Sequence, residues 1–71
     1  MNYAILKLDN IIIVIAEYGK KRFEIVLESG NLEIINVYKY LSFNRIVNSW
    51  KENGYKQIKK FTVRQYNEKN I

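Results

Sequence analysis

The chain has 71 residues, 48% of them apolar, a net charge of +5, and neither cysteine, histidine nor proline. That length holds one domain with a thin stability margin, and the apolar content excludes disorder. Without cysteine or histidine there is no disulfide staple or thiol nucleophile, and the commonest general base and most transition-metal ligands are missing.

Asn2 to Leu8 reads as a first strand. Asp9-Asn10 follows, two residues that tolerate positive φ and suit a tight hairpin. Ile11 to Tyr18 is β-branched on both faces, the pattern of a central strand. Gly19-Lys20 turns the chain into Arg22 to Glu28, where Phe23, Ile25 and Leu27 alternate with charged positions. Gly30-Asn31 is the expected third turn, and Leu32 to Tyr38 the fourth strand.

The period then changes. Phe43, Ile46, Val47 and Trp50 are spaced as one apolar stripe of a helix, with Ser42 as its N-cap and Gly54 as its stop. Tyr55 and Ile58 anchor a loop, and Lys60 to Tyr66 alternates as a last strand. The prediction is an α+β domain over residues 1–66, ββββαβ, with the helix on one face of an antiparallel meander. Residues 67–71 form a flexible tail.

Closing the hairpins at those turns sorts the strands into two faces. One carries Tyr3, Ile5, Ile12, Val14, Ala16, Phe23, Ile25, Leu27, Leu32 and Ile34. The other carries Ala4, Leu6, Leu8, Ile11, Ile13, Ile15, Val26, Ile35 and Val37, edged by Arg22, Glu24, Glu28, Glu33 and Lys39. Four strands span nearly 20 Å, whereas one helix is about 10 Å across. One apolar face is therefore left to be closed by curling of the sheet into a small barrel, by the chain's own loops and tail, by a second copy or by another protein; an apolar centre with a charged rim is the anatomy of an interface. Leu6, Ile13, Val26, Ile35 and Val37 are the expected interface residues.

Charge is unevenly placed. Residues 1–37 hold four basic and five acidic side chains, and residues 38–71 hold eight and two. Arg45, Lys51, Lys56, Lys59, Lys60 and Arg64 are accordingly the candidate contacts to a nucleic acid or an acidic protein surface. Glu52 in the middle of the helix's solvent side opposes a nucleic-acid backbone, and Phe23 alternates with core residues rather than basic ones, unlike a base-stacking platform. Glu28 and Glu33 are the nearest approach to a carboxylate pair, too few oxygens for a hard cation.

No catalytic, metal or cofactor motif is present, and no small-molecule substrate is expected. Ile, Asn, Lys and Tyr, all with AT-rich codons, make up 35 of the 71 residues, which suggests a phage or mobile-element origin. The longest apolar run is too short to span a bilayer, and the first residues lack signal-peptide features, so the expected location is cytoplasmic, in the host cell if viral. The expectation is a non-enzymatic protein that binds a host protein, itself, or both. A nucleic-acid-processing machine is a plausible target, in the manner of an anti-CRISPR inhibitor. The alternative is a DNA- or RNA-binding accessory protein using the helix and the last strand.

Overall fold

The computed structural model describes residues 2–58. Four strands, β1 (Asn2–Leu8), β2 (Ile11–Tyr18), β3 (Lys21–Glu28) and β4 (Asn31–Tyr38), precede helix α1 (Phe43–Glu52) and a short strand, β5 (Lys56–Ile58). They form one antiparallel sheet in the order β4-β3-β2-β1-β5. The fold is α+β, ββββαβ, as the sequence predicts. The strand expected over Lys60–Tyr66 and the tail from Asn67 lie outside the described residues, and β5 forms from the segment expected to be a loop.

The three hairpins turn on residues with positive φ: Asp9 at 53°, Gly19 at 60°, and Ser29 and Gly30 at 51° and 84°. Two successive positive angles match the twist of the flanking strands. The third turn is therefore Ser29-Gly30, one residue earlier than expected, and Asn31 pairs with Glu28 inside β4.

Helix α1 is fixed at both ends. The Ser42 hydroxyl accepts a 3.2 Å bond from the Arg45 backbone N–H, meeting one of the unpaired donors of the first turn. At the other end Gly54, at φ 95°, donates to the Lys51 carbonyl, and Tyr55 N–H reaches back to the Trp50 carbonyl. This two-bond cap places an apolar residue past the helix against its last turn, and here the Trp50 and Tyr55 rings meet edge to face at 5.0 Å.

The helix stripe lies over β1 and β2. Ile46 and Val47 close a core with Ala4, Leu6, Ile13 and Ile15, against which Val26, Tyr38, Leu41, Phe43, Trp50 and Tyr55 also pack. The helix thus covers the face that carries Leu6, Ile13 and Val26.

Between Glu24 and Ile25 the β3–β4 ladder slips by one residue. Ile25 pairs with Ile34 but Glu24 pairs with Asn36, leaving Ile35 as a bulge. Such an extra residue shifts every later side chain to the opposite face. Asn36 and Tyr38 are thereby turned to the helix side, while Val37 joins Phe23 on the other.

The bulge completes a polar cluster. Glu24 is the buried charged side chain among the described residues, 5% exposed. Its carboxylate accepts from Asn36 Nδ2 at 2.9 Å and from Trp50 Nε1 at 2.6 Å. A buried carboxylate is tolerable only when its oxygens are hydrogen-bonded, so this pairing ties helix, third strand and fourth strand together.

Burial, and next the negative charge of Glu24, raises the Tyr38 phenol above its ordinary 10.0. The folded state thus holds that proton more tightly than the unfolded chain does. Its contribution to stability is present below pH 10.0 and is lost as pH rises through the folded-state value. In urea titrations at increasing pH, wild type should lose more stability across this alkaline window than Tyr38→Phe does. Parallel losses in the two proteins would remove the assignment.

Candidate docking face

The face of the sheet opposite α1 is built by strand alternation. Pairing sets Tyr3, Ala16, Phe23 and Val37 in one row across four strands, and Ile5, Val14, Ile25 and Ile34 in the next. A third row holds Lys7, Ile12, Leu27 and Leu32, with Ile58 of β5 extending the second row and Lys56 the third. Ile5, Ile12 and Leu27 are buried, with Val14 and Ile58 packed on them.

Toward β4 the burial stops. Leu32 is 59% exposed, Ile34 54% and Val37 49%, and Tyr3 and Tyr18 are more open still. Among the described residues no helix packs on this side. The exposed side chains there are aliphatic and aromatic. Scattered exposed apolar residues are ordinary, but a contiguous set of them on one sheet face marks an interaction site.

The five interface residues expected from the sequence are divided by this structure. Leu6 and Ile13 are 0% and 1% exposed under α1, and Val26 is half-buried against the same core. These three are core residues, because the helix takes the face that was expected to stay open. Ile35 is exposed at the bulge, and Val37 is exposed on the face opposite Leu6. Only Val37 of the five belongs to the open face.

The three described basic candidates, Arg45, Lys51 and Lys56, do not converge. Arg45 lines a shallow groove of about 600 Å³ on the solvent side of α1, with Ser42, Asn44, Asn48, Ser49 and Glu52. One cation and one anion leave that groove without a net attraction for phosphate. Lys51 is exposed in the last turn of the same helix. Lys56 lies across the sheet from it, paired with Lys7. Lys59, Lys60 and Arg64 lie outside the described residues.

The carboxylates follow the opposite pattern. Glu17, Glu24, Glu28 and Glu33 all lie on the helix side, where Arg22 Nε meets Glu17 at 2.9 Å. Glu28 and Glu33 do not oppose each other: Glu28 pairs with Asn31 and Glu33 with Val26. Among the described residues no group of three or more acidic side chains gathers as metal ligands do, and no helix is long and apolar enough to cross a membrane.

Sequence reasoning sorted the open-face residues apart from Val37, left open which face the helix covers, and drew its interface residues from the face that the helix takes. The missed signal was chemical: the Trp50 indole N–H needs an acceptor when buried, and Glu24, centred on one face, needs donors. Those two demands place the helix stripe on the Glu24 side. No protein-family model, curated protein or solved structure matches this chain.

Proposed function

We propose that this protein is a non-catalytic binding module that docks another protein on its open sheet face. It is encoded by a phage or mobile element, as its AT-rich residue usage suggests, and modulates a host protein, with nucleic-acid-processing machines as the target class.

The observation that carries this reading is the half-exposed Leu32, Ile34 and Val37 along β4, beside Phe23 and Ile25 of β3. β4 is an edge strand, paired along one side to β3, so its backbone is already ordered and less freedom is lost on docking.

The test is photo-crosslinking in host cells from a benzophenone side chain at Ile34, with the same probe at Asn48 on the outer side of α1 as reference. Adducts to a discrete protein are expected from position 34 and not from 48. Val37→Lys should abolish them without lowering the melting temperature, because Val37 is already half-exposed. Equal labelling from both positions, or adducts unaffected by Val37→Lys, would defeat the reading.

A further inference from the structure

Every lysine of the described strands lies on the open face, and every strand carboxylate lies on the helix side. Lys7, Lys21 and Lys56 are exposed, spaced around the apolar rows: Lys7 and Lys56 pair at one end, and Lys21 sits beside Tyr18 at the other. Glu17, Glu24, Glu28 and Glu33 all project the other way. Lysines and carboxylates of the described strands are therefore sorted to opposite faces of the sheet, with Arg22 on the carboxylate side against Glu17.

We infer that the occupant of the open face is a protein surface with an apolar centre and a carboxylate rim. The inference rests on the docking role proposed above and adds the partner's charge. Like charges brought together at an interface disfavour association, and opposite ones steer it and set register. Two copies stacked open face to open face would bring lysine rims together with no carboxylate of the described strands to answer them, so charge disfavours a second copy. Nucleic acid would satisfy the lysines but not the centre. Ile25, Ile34, Val14 and Leu32 are aliphatic, and single-stranded nucleic acids are held by aromatic stacking along a basic groove. An apolar surface edged with Asp and Glu satisfies both parts of the face.

The probe is a random peptide library displayed on phage, selected against the immobilised protein and counter-selected against the Ile34→Lys/Val37→Lys variant. Recovered binders should carry aromatic or aliphatic residues flanked by Asp and Glu. Their affinity should fall about tenfold on Lys7→Gln/Lys21→Gln, mainly through slower association at low salt. The charge-matched pair Asn44→Asp/Asn48→Asp, on the outer side of the helix, should leave affinity unchanged.

Face-dependent binders without acidic enrichment would overturn the charge inference while leaving the docking role standing. A failure to recover any binder that the Ile34→Lys/Val37→Lys variant rejects would overturn both. Sedimentation of a dimer that Val37→Lys dissociates, or oligothymidine binding lost in the Lys7→Gln/Lys21→Gln variant, would assign the face to a second copy or to nucleic acid instead.

Discussion

Trp50→Ala is expected to bring the domain to the edge of unfolding. Truncating a large packed aromatic costs about 3–5 kcal/mol. A chain of this length has roughly 4–11 kcal/mol in all at typical per-residue stability. Three losses coincide at this side chain: its packing on the helix-side core, its edge-to-face contact with Tyr55 across the helix cap, and the 2.6 Å bond from its indole nitrogen to Glu24. The last can be isolated. Trp50→Phe keeps most of the ring but leaves the buried carboxylate short of a donor, at about 1.5–3 kcal/mol for a bond to a charged group. Combining it with Glu24→Leu should recover part of that cost, since removing both polar partners is far less harmful than removing one. Urea titrations followed by far-ultraviolet circular dichroism give all three values. A Trp50→Phe protein as stable as wild type would show that the Glu24 bond contributes nothing.

The second large effect is expected at Leu6. Fully buried between the sheet and α1, it should cost about 2–5 kcal/mol on truncation to alanine, transfer and cavity terms together. Val37→Ala, on the half-exposed row of the opposite face, should stay within about 1 kcal/mol. The pair checks that the helix covers the Leu6 face, because Leu6 would lose its covering if the helix lay on the other side. Equal destabilisation by the two changes would contradict the observed packing.

The strand order and the helix were legible because each depends on local chemistry. Asp9, Gly19 and Gly30 mark the turns, Ser42 and Gly54 bracket the helix, and Phe43, Ile46, Val47 and Trp50 repeat at its period. What was not legible depends on pairing across strands. The third turn falls one residue earlier than expected, and the ladder then slips at Ile35. A side-chain period of two gives no warning of a single extra residue, except where it breaks the alternation. Here the consecutive Ile34-Ile35 before Asn36 is that break. The choice of helix face likewise turned on Glu24 and Trp50 finding each other, a contact 26 positions apart in the chain.

The slip at Ile35 also gives the ladder one residue of slack. With Ile35 removed, the remaining pairs, Ile25 with Ile34 and Glu24 with Asn36, follow one another in unbroken alternation. Each later side chain keeps its face. Elsewhere in these strands, losing a residue would turn the rest of the strand inside out. At Ile35 the strand can shorten by one and keep Asn36 on Glu24 and Val37 on the open face, so chain length and face assignment are uncoupled at that one point.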